Sequence, residues 1–131
     1  MKTPIIVVVD SNPVHRNLIN YNLVVHKFLE VHTFLSREDC LYRLNKNLVP
    51  DFIITDVNPA DDSALRFLQR VHEISPSVRV IFFSAFDNPR MATELYHAGA
   101  SDYIHKTNKP DLGISELIKN IRYLLRAKSI S

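Results

Sequence analysis

One cysteine, Cys40, stands in the whole chain, so no internal disulfide can form. Tryptophan is absent, which removes indole fluorescence as a probe of metal binding. No basic, apolar, small-residue signal opens the chain, and no apolar run approaches the ~20 residues needed to cross a bilayer. A cytoplasmic protein that meets membranes only through a partner is therefore expected. The formal charge of +2 is too small to argue direct nucleic-acid binding. Lys119, Arg122, Arg126 and Lys128 gather near the C-terminus, where a solvated helix face is the expected reading. The histidines are dispersed. His72-Glu73 begins like a zinc-protease motif, but Pro76 stands where the second histidine is required, so no zinc site is expected.

What is present is the pattern of one ordinary globular domain. The 131 residues are 46% apolar and 23% charged, enough to bury about two-thirds of the unfolded surface in one core. Four apolar runs each end on a polar residue of a different kind: Ile5 to Val9 on Asp10, Phe52 to Thr55 on Asp56, Val80 to Phe83 on Ser84, and Tyr103 to His105 on Lys106. Two acids, a hydroxyl and an ammonium suit a cation and a phosphoryl group.

Between these runs lie helical patterns. Asn12-Pro13 supplies an N-cap and a first-turn proline, and Val14, Leu18, Tyr21 and Val25 follow at helical spacing. Leu29 to Thr33 alternates as an edge strand does. Ser36 with Asp39 resembles a capping box, opening a helix with the stripe Cys40, Leu41, Leu44 and Leu48, which Pro50 ends. A third helix carries Leu65, Leu68, Val71, His72 and Ile74 and stops at Ser75-Pro76-Ser77. A fourth runs from Pro89 to Ala98, with Gly99 where a left-handed cap is needed. After a loop with Pro110 and Gly113, the residues Leu117, Ile118, Ile121, Leu124 and Leu125 read as the strongest amphipathic helix.

Five βα units with short connections imply right-handed crossovers and an α/β fold, a flavodoxin-like doubly wound (βα)5 sandwich with a parallel sheet in the order 2-1-3-4-5. In such a sheet, residues just past successive strands converge in one crevice. Asp10 and Asp56 are then adjacent, strands being ~4.8 Å apart, and Lys106 reaches back with its long side chain. Asp51, at the start of its strand, falls near the opposite edge.

The segments Val-Val-Val-Asp10, Ile-Ile-Thr-Asp56-Val-Asn58, Phe-Phe-Ser84-Ala85, Ala-Gly99-Ala-Ser-Asp-Tyr103 and Lys106, in that order, resemble the receiver domain of bacterial two-component response regulators. The resemblance runs from Ile5 to about Leu125 and implies one receiver domain over residues 1–131 that is not an enzyme beyond its own phosphorylation and dephosphorylation. It implies that Asp56 accepts a phosphoryl group from a sensor histidine kinase or phosphotransfer protein, with Lys106 and Ser84 contacting the phosphoryl oxygens. It implies Mg²⁺ held by Asp10, Asp56 and the Asn58 carbonyl, a switch through Ser84 and Tyr103, and output to an effector protein, an attached output domain or a homodimer partner. The chain is then either a stand-alone receiver or a piece of a longer regulator.

Some positions depart from that pattern. Ser11 stands where a second acid is usual, so Mg²⁺ binding is expected to be weaker, by roughly tenfold or more. Thr107 replaces the usual proline, and a trans Lys106-Thr107 peptide is expected, with the loop after Lys106 about four residues longer than usual. Phe86 is bulky enough to shield an acyl phosphate from water. Asp61 and Asp62 read as solvated loop charges. Two other classes compete: a phosphorylation-independent pseudo-receiver in which Lys106 only ion-pairs with Asp10, and a small phosphohydrolase, which this length disfavours by leaving no lid and no general acid.

Overall fold

The computed structural model describes residues 3–108 and 111–130, with side chains of the last helix described through residue 127. Lys109 and Pro110 of the long loop, and the side chain of Lys128, lie outside the described residues. The strands are β1 (Ile5–Val9), β2 (Glu30–Phe34), β3 (Phe52–Thr55), β4 (Arg79–Ser84) and β5 (Asp102–His105). The helices are α1 (Pro13–Val25), α2 (Arg37–Leu44), α3 (Ser63–Ile74), α4 (Pro89–His97) and α5 (Ile114–Ile130). All strand pairs are parallel, in the order β2-β1-β3-β4-β5.

The continuous apolar runs follow from a sheet covered on both faces. Period-two alternation sends Val7, Val9, Ile53, Val80 and Phe82 toward α2, α3 and α4. It sends Ile6, Val8, Phe52, Ile54, Ile81 and Phe83 toward α1 and α5. Each fully buried side chain of this size contributes roughly 1.5–3 kcal/mol. Caps set the helix starts. Asn12 Oδ1 accepts from the Val14 and His15 amides, Ser36 Oγ from Asp39, and Asn88 Oδ1 from Met91. Gly99 ends α4 at φ +108°, and a Cβ there would lie 3.2 Å from the His72 ring, so the position favours glycine.

Three details differ from the sequence reading. In α1, Val14, Tyr21 and Val25 point to solvent while Ile19 and Leu23 face the core, because that helix carries apolar residues on more than one side. α2 ends at Leu44, one turn short of Leu48. The sharpest division between apolar and polar faces belongs to α3 rather than α5. Lys119, Arg122 and Arg126 are solvent-exposed, as expected.

Thr55 is 1% exposed, and its Oγ1 has no hydrogen-bond partner among the described residues. A hydroxyl buried in that way costs roughly 1–3 kcal/mol of desolvation. Thr55→Val is accordingly expected to raise the unfolding free energy by about 1 kcal/mol, read from the urea midpoint at unchanged slope. A loss of stability would contradict this account of the hydroxyl.

Candidate functional site

The register brings the strand ends level. Val9 pairs with Thr55, Thr55 with Phe82, and Ser84 with His105, so Asp10, Asp56, Ser84 and Lys106 all sit at the carboxyl edge of the sheet. Asp51 lies at the other edge, where its carboxylate accepts from the Ile5 amide at 2.8 Å.

Lys106 Nζ lies 3.0 Å from Asp10 Oδ2, and the two side chains are 4% and 3% exposed. The second oxygen of Asp10 accepts from the Asn12 amide at 2.9 Å, a turn that also leads the chain into α1. The ammonium also donates to His15 Nδ1 at 3.0 Å, which leaves the ring proton of neutral His15 on Nε2. It stands 5.5 Å from the Phe83 ring centre as well. Lys106 is therefore held on several sides, directed at Asp10. The Lys106-Thr107 peptide is trans, as the sequence led one to expect.

Asp56 lines a cleft of about 310 Å³ together with Ser11, Arg37, Glu38, Asn58 and Ser63. About a third of its side chain meets solvent. Burial is the main cause that pushes its pKa above the ordinary carboxylate value, and the neighbouring Asp10 carboxylate adds to this; Arg37 and Lys106 oppose both. Asn58 is exposed, its Oδ1 accepting from the Ala60 amide at 3.0 Å and its carbonyl receiving only a long 3.4 Å bond from Asp61.

Arg37 was not anticipated. Its guanidinium donates to the Asp56 carbonyl at 2.6 Å and to Ser63 Oγ at 2.9 Å, lies 5.4 Å from the Phe67 ring centre, and comes within 4.0 Å of Asp56 Oδ1. Arg37 stands three residues past β2, whose end is on the same edge of the sheet; the strand-end rule extended to that strand points to the edge but falls on Leu35, so it does not single out the guanidinium. His15, in the first turn of α1, was missed for a different reason: nothing in helical spacing distinguishes it.

Ser84 is fully buried, and its Oγ accepts from the Phe86 amide at 3.0 Å. Tyr103 donates from its hydroxyl to the Phe86 carbonyl at 2.7 Å, while its ring packs on the core. One residue, Phe86, thus links Ser84 through its amide to Tyr103 through its carbonyl. Phe86 itself is half exposed and is not among the residues lining the Asp56 cleft. Asp61 and Asp62 are exposed; Asp61 accepts from the Ser63 amide and Asp62 pairs with Arg66.

Among the described residues, no group of three or more His, Cys, Asp or Glu side chains is placed to hold a metal. The nearby oxygen donors are the Asp56 carboxylate and the Asn58 carbonyl at the cleft and the buried Asp10 carboxylate at the neighbouring strand end, all hard oxygens of the kind Mg²⁺ takes, so the donor chemistry fits that ion while the number of acids is low.

Residues 6–121 match the response regulator receiver domain family. The chain is 29% identical over 100 residues to the sensory transduction protein LytR of Staphylococcus epidermidis, covering 76% of this chain and 38% of that protein. It is 26% identical over 112 residues to the Fimbriae Z protein of Escherichia coli, covering 82% of this chain and 51% of that one. The chain therefore spans about half or less of these relatives. A crystal structure of a response regulator from Thermotoga maritima superposes with a TM-score of 0.76 at 22% identity, covering 92% of this chain and 99% of that one. The matched segment contains all four strand-end residues, and by that match over most of its length the chain belongs to the response regulator receiver domain family.

Proposed function

We propose that this receiver domain, taken as a single domain over residues 1–131, accepts a phosphoryl group on Asp56 and passes the change to a protein-interaction surface. The observation that carries the reading is the grouping of Asp56 with the buried Asp10–Lys106 pair at one edge of the sheet. Receiver domains are generally signalling modules rather than enzymes, and they interact with histidine kinases and with effector or output domains. For this chain the donor is a histidine kinase or phosphotransfer protein in the cytoplasm.

In the transfer, an Asp56 oxygen forms a bond to phosphorus as the donor P–N bond breaks. The electron pair leaves on the imidazole nitrogen, which is protonated. The carboxylate must be ionised to attack, and the cations around it lower the repulsion from the phosphoryl oxygens. Receiver domains typically bind Mg²⁺ at the phosphorylation site; here Asp10, Asp56 and the Asn58 carbonyl would hold it, and it would neutralise phosphoryl charge. Lys106 supplies a second positive charge. Ser84 accepts from Phe86 and retains its own proton to donate to a phosphoryl oxygen. A hydrogen bond to a charged oxygen contributes roughly 1.5–3 kcal/mol, so a shift at Ser84, carried through Phe86 to Tyr103, biases a two-state surface around α4, β5 and α5.

The second reading is a pseudo-receiver that binds partners without phosphorylation. It is favoured by one feature: both Asp10 oxygens and the Lys106 ammonium are already engaged with protein groups. Intact-mass measurement with an excess of a small acyl phosphate and Mg²⁺ separates the two. A gain of one phosphoryl group supports the phosphoacceptor; no gain at saturating donor supports the pseudo-receiver.

A further inference from the structure

We propose that Arg37 supplies the positive charge beside Asp56 that the missing second acid would otherwise recruit as a divalent cation, so that phosphoryl acceptance in this chain depends only weakly on Mg²⁺. The inference rests on Asp56 being the phosphoacceptor and assigns a positioning residue to that reaction.

Charge comes first. Ser11 removes one carboxylate from the metal side of the cleft, and Arg37 adds one cation. Lys106 is matched to Asp10 at 3.0 Å, which leaves Asp56 facing the guanidinium at 4.0 Å. The pull on an added divalent ion is reduced on both counts. Arginine stays protonated even here, although burial lowers its pKa from the ordinary value, with Asp56, Asp61 and Glu38 opposing that effect.

Placement comes second. The Arg37 side chain is only 18% exposed, and its guanidinium is fixed by the Asp56 carbonyl, Ser63 Oγ and the Phe67 ring. A cation held in that way needs little reorganisation when an anionic donor arrives, and a planar guanidinium matches phosphoryl oxygens. With a small acyl phosphate, an Asp56 oxygen forms the new O–P bond as the donor O–P bond breaks, its electron pair leaving on the donor carboxylate. Arg37 gives up no proton and forms no covalent bond.

Arg37→Gln keeps hydrogen-bonding groups and removes the charge, whereas Arg37→Lys keeps the charge. Two quantities are read: Mg²⁺ affinity by calorimetry at low ionic strength, and the ratio of the phosphorylation rate in saturating Mg²⁺ to that in chelator, by intact mass. Removing a positive charge near the cation should tighten Mg²⁺ binding in Arg37→Gln by about tenfold and raise the rate ratio by about tenfold or more. Arg37→Lys should keep the Mg²⁺ affinity near the wild type, with a rate ratio between those of the wild type and Arg37→Gln because the charge is kept and the planar fork is lost. A tether that acts only through hydrogen bonds would leave Mg²⁺ affinity the same in Arg37→Gln, and either readout unmoved overturns the proposal. If the wild type takes no phosphoryl group even in saturating Mg²⁺, the phosphoacceptor reading itself fails, and the Mg²⁺ affinities alone decide the charge role of Arg37.

Discussion

Lys106→Met is expected to lower the unfolding free energy by about 3–5 kcal/mol, because it strands a buried carboxylate. Asp10 is 2% exposed, and without the ammonium its Oδ2 loses the partner at 3.0 Å, keeping only the Asn12 amide on Oδ1. His15 Nδ1 loses its donor in the same variant. Adding Asp10→Leu should restore most of the loss, since replacing a whole buried pair by apolar groups is often neutral or stabilising. Urea unfolding of the single and double variants measures the coupling directly. A loss under about 1 kcal/mol for Lys106→Met would mean that the pair behaves like an exposed one.

Asp56→Asn should act in the opposite direction. Burial and the Asp10 carboxylate raise the native pKa of Asp56 above that of the unfolded chain, so between the two values the native state binds more protons. Stability then falls as pH rises from the unfolded value near ~3.9 through the raised native value, and the penalty persists at neutral pH. The asparagine variant escapes it. At pH 7 it should be more stable than the wild type by on the order of 1 kcal/mol, a modest figure because solvent reaches part of the side chain. Below about pH 4 the difference should vanish. Urea midpoints of both proteins across this range test it, and a variant less stable than the wild type at pH 7 would show that Arg37 and Lys106 outweigh the burial.

Both predictions depend on a site whose outline was legible in the chain. Short strands ending in Asp10, Asp56, Ser84 and Lys106 alternate with capped helices, and a parallel sheet puts such ends side by side. Strand boundaries were within a residue or two, as β2 shows at Glu30–Phe34. Periodicity could not choose the inner face of α1, where Val14, Tyr21 and Val25 recur as regularly as Ile19 and Leu23. Nor could it find Arg37 or His15. Their importance comes from tertiary direction, a guanidinium folded back over β3 and an imidazole turned toward the end of β5, which sequence spacing does not encode.

The same limit applies to Ser84. From its position, a loop cap and a phosphoryl contact were both reasonable. Its Oγ accepts from the Phe86 amide, so it caps the loop in this state. The hydroxyl proton remains available for the second role.

The central claim is that Asp56 carries the phosphoryl group. Borohydride reduces an acyl phosphate on aspartate to homoserine, leaving a permanent mark at the residue that was modified. After treatment with a small acyl phosphate and Mg²⁺, then borohydride, peptide mass spectrometry should find homoserine at position 56 and at no other acid. Homoserine at position 10, 61 or 62 instead, or at none, would contradict it.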